Sequence, residues 1–364
     1  MKIITRSAIL SLFVSAFSYS QNTYTYSQPK LLEDGWETTS LTTLNVDTTR
    51  IYQLFNQLED GENSIHSILL VKNKHIIIEE YFKDHSVYKQ HDLRSVTKSI
   101  ISLLLGIAID KGIVGSVDDP VLKYLKSHVP TKNPDKRKDE ITIKQLLTMS
   151  AGLDCNDWDK HSAGQEDKVY RKKDWIQYTL DLPMVYDPGK VSNYCSMGVV
   201  LIAEILSQAS GMPIDKFAEE YLFNPLNISN VRWGHTSDKD VIPSGKRIYM
   251  TSRDMAKIGQ LILNEGQWND KRLISEKWIS ESTAIKTQIT GVGYGYLWWD
   301  IPFREKEKIT ISKVASGNGG QYIMVFPDLE MVAIFTGAAY NSQEDKLPLA
   351  IMNDIFLPTF SGDN

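Results

Sequence analysis

Cysteine is scarce: two in 364 residues, Cys155 and Cys195, allow at most one intrachain disulfide. The chain has no Cys-x-x-Cys and no His-Glu-x-x-His, so the spacings that commonly hold zinc are missing. Seven histidines scattered along the chain read as surface or hydrogen-bonded residues, and neither a metal nor a cofactor is expected. There is no Gly-x-Ser-x-Gly, the strained elbow that presents the serine of α/β-hydrolases. Beyond the first twenty residues no segment is apolar enough to cross a bilayer, which takes about 20 residues. Basic residues do not dominate either: 40 Lys and Arg against 45 Asp and Glu give a net charge of −5, a poor match to nucleic acid. No internal repeat or low-complexity tract stands out, and nothing in the composition reports an oligomeric state.

What is present is an ordinary folded composition, 42% hydrophobic and 23% charged. The length suits one large domain or two coupled ones. Lys2 and Arg6 precede an apolar run over residues 8–17, and Ser18-Tyr19-Ser20 offers small residues at the cleavage offsets. That pattern predicts a signal peptide cut near Ser20/Gln21, and hence an exported, periplasmic or secreted protein with no membrane span in the mature chain. Its removal takes away two basic and no acidic residues, moving the charge from −5 to −7. Both cysteines remain, and count alone leaves open one disulfide or two separate buried thiols.

After a polar leader over residues 21–49, residues 51–58 carry helical spacing. Residues 67–71 and 75–81 read as two strands around a short polar turn. Apolar residues at three- and four-residue intervals predict a buried helix over 95–111, with Gly112 at its end. Helices are expected over 143–149, 175–180, 198–210, 252–264, 275–283 and 346–356, and strands over 293–299, 308–314, 321–327 and 331–337. Strands at both ends and helices in the middle predict an α/β (α+β) fold: an antiparallel sheet flanked by helices, built from residues 50–125 and 225–360, with a mainly α-helical insertion over 126–224. The cleft between the two parts is the expected ligand site.

Within this frame Ser95-Val96-Thr97-Lys98 places a lysine one helical turn after a serine. A serine hydroxyl needs a base beside it, and a lysine serves only where burial or cationic neighbours leave it neutral. Ser-x-x-Lys arises by chance about once in a chain of this size, and Ser86-Val87-Tyr88-Lys89 is another copy. Only the Ser95 copy opens an apolar helix that could bury its lysine. Taken alone it also fits a plain helix cap and a solvated lysine. Tyr194-Cys195-Ser196 follows the turn signal Asp187-Pro188-Gly189, and its phenol could relay protons in a cleft. Taken alone, it fits a packed tyrosine and a turn serine. Ala315-Ser316-Gly317-Asn318-Gly319-Gly320-Gln321 joins two β-rich runs; its glycines suit either a simple hairpin loop or a backbone brought close to a ligand oxyanion.

The order Ser-x-x-Lys, Tyr-x-Ser, small-Ser-Gly resembles the serine β-lactamase and penicillin-recognising hydrolase superfamily. The likeness is to its class C β-lactamase-like branch, with esterases, D-stereospecific peptidases and nylon-oligomer (aminohexanoate dimer) hydrolases. Residues 146–153 (LLTMSAGL), 223–226 (FNPL), 251–255 (TSRDM) and 294–299 (YGYLWW) are also similar to that branch, so the likeness spans roughly residues 60–340. It implies a β-lactamase/transpeptidase-like fold, Ser95 as acylated nucleophile, Lys98 as general base and Tyr194 as its partner in proton transfer. It further implies an oxyanion hole from the Ser95 and Asn318 amides, with Ser196, Ser316 and Gly317 lining the substrate. Cys155 and Cys195 would then form a disulfide pinning the tyrosine loop. Where relatives carry Lys-Thr-Gly this chain has Ala315-Ser316-Gly317, so the cation that grips a β-lactam carboxylate is missing. The expected activity is therefore a serine hydrolase acting on a small ester, amide or short peptide-like substrate. The alternatives are a cell-wall D-peptidase or transpeptidase-like enzyme, or a non-catalytic penicillin-binding-like sensor.

Overall fold

The computed structural model describes residues 24–234, 247–305 and 308–361; the run read as an export signal lies outside them. Nine strands form one sheet: β1 (Glu37–Thr38), β2 (Ile65–Lys72), β3 (His75–Tyr81), β4 (Thr287–Ile289), β5 (Val292–Tyr294), β6 (Trp299–Glu305), β7 (Lys308–Gly317), β8 (Gln321–Phe326) and β9 (Met331–Gly337). Their order is β1-β3-β2-β9-β8-β7-β6-β5-β4. Every pairing is antiparallel except that of β1 with β3. The central strands β8 and β9 are buried along their whole length, so their apolar runs show no alternation. Asn73 and Lys74 both take positive φ, as the tight turn joining β2 to β3 demands.

Helices cover both faces. On one side lie α1 (Thr49–Asp60) and the C-terminal segment; on the other lie α2 (Val96–Asp110), α3 (Ile143–Leu147), α4 (Trp175–Leu180), α5 (Ser196–Ser210), α6 (Ser252–Leu263) and α7 (Glu276–Thr283). Helix α2 is buried from Val96 to Ala108, as a helix apolar on all sides must be. It packs closely because Gly106 leaves room for Trp278: a Cβ there would sit 2.2 Å from the indole, whose Nε1 donates to the Ser102 carbonyl at 3.1 Å. Truncating a core side chain such as Leu103 would cost roughly 2–5 kcal/mol. One hydrophobic cluster joins Ile100 and Leu103 of α2, Leu146 of α3, Val199 of α5, and Ile323 and Val332 of the sheet. Among the described residues no single helix is long and apolar enough to cross a membrane.

Three expectations need correction. The stretch read as a polar leader is part of the fold: Trp36 is buried and donates to the Arg253 carbonyl, and Glu37–Thr38 pairs with His75 and Ile76. Residues 293–299 are not one strand. Leu297 takes a φ of +66° and Gly295 donates to the Trp298 carbonyl, so a turn separates β5 from β6. The closing helix runs past 356, through a π-helical stretch Met352–Phe356, to Phe360.

Candidate active site

The turn before α2 presents Ser95. Arg94 adopts a left-handed φ of +50°, reversing the chain from the short strand His91–Asp92 into the helix. The Ser95 side chain caps no backbone amide, which leaves its hydroxyl available. Lys98 Nζ donates to Ser95 Oγ at 2.8 Å, and the lysine is only 6% exposed. The helix is anchored laterally: the Thr97 hydroxyl accepts the Ile248 amide at 3.0 Å, and Ser99 Oγ donates to the Leu297 carbonyl at 2.6 Å.

Tyr194 lies against the same amine, its ring centroid 5.1 Å from Lys98 Nζ. The Tyr194 ring lies between two tryptophans, stacked on Trp158 at 4.9 Å and on Trp299 at 6.0 Å. Trp158 is 57% exposed and forms the outer wall. Cys155 and Cys195 are joined in a disulfide with a Cα–Cα distance of 5.4 Å. It ties the segment before Asp157 to the residue after Tyr194.

Asp157 and Glu166 carried no signal in the sequence. The Asp157 amide donates to the Tyr194 carbonyl at 2.8 Å. Asp157 Oδ2 accepts both the Ser196 amide (2.8 Å) and the Ser196 hydroxyl (2.7 Å). The carboxylate thus caps α5 from outside, where the helix dipole favours negative charge. Burial nevertheless pushes its pKa up to about 6, against the pull of Lys98, with Glu166 adding to the rise. Glu166 is held by Tyr170, whose hydroxyl donates to Oε2 at 2.7 Å.

These neighbours reverse the expected charge on the amine. Burial disfavours the Lys98 ammonium, but Tyr194, Glu166 and Asp157 outweigh burial and hold its pKa above the ordinary lysine value. The expectation of a neutral resting lysine is therefore corrected: the surroundings are acidic rather than cationic.

The end of β7 closes the site. A Cβ on Gly317 would lie 2.5 Å from the Leu93 carbonyl oxygen, so glycine lets the strand touch the turn that presents Ser95. Asn318 follows, its side chain exchanging hydrogen bonds with Asn341: Nδ2 donates to Asn341 Oδ1 and Oδ1 accepts the Asn341 amide, both at 2.9 Å. Two assignments need correction. Ser316 stands opposite Tyr322 in the ladder, and Tyr322 packs with Val314 in the cluster on the far side of the sheet. Strand alternation puts Ser316 with Val314, while Ala315 faces the α2 side. Ser196 is buried and spends its hydroxyl on Asp157, so it positions that carboxylate instead of facing a substrate. Beside the nucleophile, Asp92 Oδ2 lies 3.3 Å from Arg94 Nε and 3.4 Å from Arg247 Nη1, one carboxylate between two guanidiniums.

Comparison with known proteins bears on the fold and the family. An uncharacterized protein of Alkalihalophilus pseudofirmus is 24% identical over 315 residues, covering 76% of this chain and 85% of that protein. Among solved structures, EstCE1, a hydrolase with promiscuous acyltransferase activity, superposes with a TM-score of 0.69 at 14% identity, covering 84% of this chain and 97% of the other. A D-stereospecific amidohydrolase from a Streptomyces species gives 0.63 at 16% identity, covering 80% and 93%. These likenesses share the β-lactamase/transpeptidase-like fold, a large antiparallel sheet flanked by helices. The β-lactamase family model matches residues 67–350, and the chain belongs to that family.

Proposed function

We propose that this β-lactamase-family hydrolase cleaves a small ester or amide through an acyl-enzyme on Ser95. The observation that carries this reading is the 2.8 Å contact between a buried Lys98 amine and a serine hydroxyl that caps nothing. Ser95 Oγ attacks the carbonyl carbon and the carbonyl oxygen takes up the charge, with the Ser95 and Asn318 amides as its donors. Lys98 accepts the serine proton in its neutral form, reached when the resting ammonium gives a proton to solvent, and Tyr194, whose ring centroid lies 5.1 Å from Nζ, relays that proton onward. The two residues thus act as one proton-sharing unit. The proton then goes to the leaving alcohol or amine, and water, deprotonated by the same pair, releases the acid. The disulfide supports export to an oxidising compartment, as the N-terminal sequence predicts.

Fluorophosphonate labelling of the folded protein tests the reading. One adduct per chain on Ser95, absent from Ser95→Ala, supports it; a folded wild-type protein that takes no label overturns it in favour of a binding module.

A second reading, a D-peptidase acting on a substrate with a free carboxylate, draws on Arg94 and Arg247 sharing the single carboxylate of Asp92. Their excess positive charge lies beside the nucleophile and could replace the cation missing from the third motif. Short-chain esters, linear amide oligomers, D-amino-acid amides, D-peptides with a free terminus and a chromogenic cephalosporin separate the two readings. Preference for the free-terminus peptides favours the second.

A further inference from the structure

Three histidines distant in sequence meet outside the Ser95–Lys98–Tyr194 group. His66 lies in β2, His85 in the loop after β3, and His91 in the short strand leading to Ser95. A ring nitrogen from each lies within 4.8 Å of the other two. His66 Nδ1 and His91 Nε2 are 2.9 Å apart, near the edge of about 3.3 Å that metal–nitrogen bonds of 2.0–2.1 Å produce in a tetrahedron. The His66 and His85 rings stack at 3.9 Å.

Proton placement suits ligation. His91 Nδ1 lies 3.2 Å from the Asp92 carbonyl; donating there leaves the Nε2 lone pair facing the cluster, the outer hydrogen bond that fixes a ligating imidazole. Without metal, His66 Nδ1 donates to that lone pair. With metal, the His66 proton moves to Nε2 and Nδ1 becomes the ligand, with no net change in protons. Lys83 and Lys89 oppose a bound cation, but each is tethered to a backbone carbonyl, that of Asn63 and that of Asp84 respectively. The Asp84 carboxylate partly offsets them. Two of the three rings are half-exposed, which gives an ion a route from solvent.

We propose that His66, His85 and His91 bind one divalent transition-metal ion of the imidazole-preferring class, such as Zn2+, with water completing its coordination. Mg2+ and Ca2+ are excluded as occupants because they require oxygen ligands. The ion would pin the β2–β3 hairpin and its following loop to the strand that carries the chain into Ser95, a structural clamp rather than a catalytic metal.

The test uses untagged full-length protein, stripped with chelator, desalted and titrated with ZnCl2. Metal per chain is measured after gel filtration, and Tm is followed against zinc concentration. One Zn2+ per chain is expected, with a Tm that climbs with zinc. His85→Ala, on a half-exposed loop, should weaken binding at least about tenfold, a loss that even outer-sphere changes can cause. Its zinc-free Tm should stay near wild type, and His91→Gln reports independently should it not. His128→Ala/His161→Ala, elsewhere on the chain, should bind as wild type does. Wild-type protein that binds no more zinc than His85→Ala, or binding lost in His128→Ala/His161→Ala, overturns the proposal. Fluorophosphonate labelling of Ser95 in the zinc-free protein keeps this outcome separate from that of the hydrolase reading.

Discussion

Lys98 Nζ touches Ser95 Oγ one helical turn before it, yet the acidic wall of Asp157, Glu166 and Tyr194 keeps the amine protonated. A protonated lysine cannot be the base and a neutral phenol cannot take its proton, so the reacting form is the one in which Lys98 has given a proton to solvent, with Tyr194 relaying the serine proton onward. Lys98→Ala and Tyr194→Phe should each lower kcat/KM by about 10²–10⁴-fold, the span of general acid–base contributions. The double variant should be little worse than either single one, because residues acting as a unit are non-additive. Steady-state kinetics on the best ester substrate decides; losses that multiply would mean the two residues act separately.

Asp157 should set the acid limb of the pH profile. Burial raises its pKa from 3.8 to about 6, so it is ionised above that pH and neutral below. As it takes up a proton it loses the charge that caps α5 and holds the Ser196 amide and hydroxyl next to the Tyr194 segment, and kcat/KM should fall below about pH 6; in Asp157→Asn that limb should disappear. Stability follows with the opposite sense. A carboxyl whose folded pKa is raised binds its proton more firmly in the native state, so its contribution is present below about pH 4 and is lost as pH rises through 6. The full change is about 3 kcal/mol, two pKa units at 1.36 each. Urea unfolding should therefore show Asp157→Asn gaining on wild type between pH 4 and 7.

How much of this was legible depended on sequence distance. Ser95 and Lys98 share a helix face, and 3.6-residue periodicity alone puts them together. The hairpin at Asn73 and the long apolar strands were equally readable, since pleat and turn chemistry are local. Asp157 and Glu166 were not: they reach Lys98 because one loop packs on another and a disulfide holds it there. Ser316 was assigned to the site because the motif names a residue but not the face its strand turns inward. His66, His85 and His91 show no metal spacing in line, and only the fold gathers them. The resting charge of Lys98 is hidden for the same reason, since it depends on Tyr194, Glu166 and Asp157, all remote from it in sequence.

The Cys155–Cys195 bond closes a loop of 40 residues. Its chain-entropy value is about 3–4 kcal/mol. Reduction, or Cys155→Ser/Cys195→Ser, should lower unfolding stability by up to about that amount and also depress activity, because the bond flanks both Asp157 and Tyr194. Denaturant titrations with and without reductant check the first effect, and ester turnover under the same conditions the second. Activity untouched by reduction would show that Tyr194 needs no such pin.

Gly317→Ala separates catalysis from folding. The added methyl would lie 2.5 Å from the Leu93 carbonyl oxygen and 3.0 Å from Arg94 Cβ. Both belong to the turn that presents Ser95, so relief must come from parting the β7 end and that turn. Elsewhere β7 is held along its ladders with β6 and β8, which keeps the damage local, and overpacking of this size costs about 1–3 kcal/mol. Catalysis is less forgiving, since a displacement of about 1 Å can cost 10²-fold. Gly112→Ala is the control: its φ of +69° strains any side chain, but nothing lies within 4 Å of the added Cβ. It sits beyond the far end of α2, so it should lower stability and leave kcat/KM alone. Gly317→Ala should instead lose about two orders of magnitude in kcat/KM while still unfolding cooperatively. If it turns over substrate like wild type, the end of β7 has no part in shaping the space around Ser95.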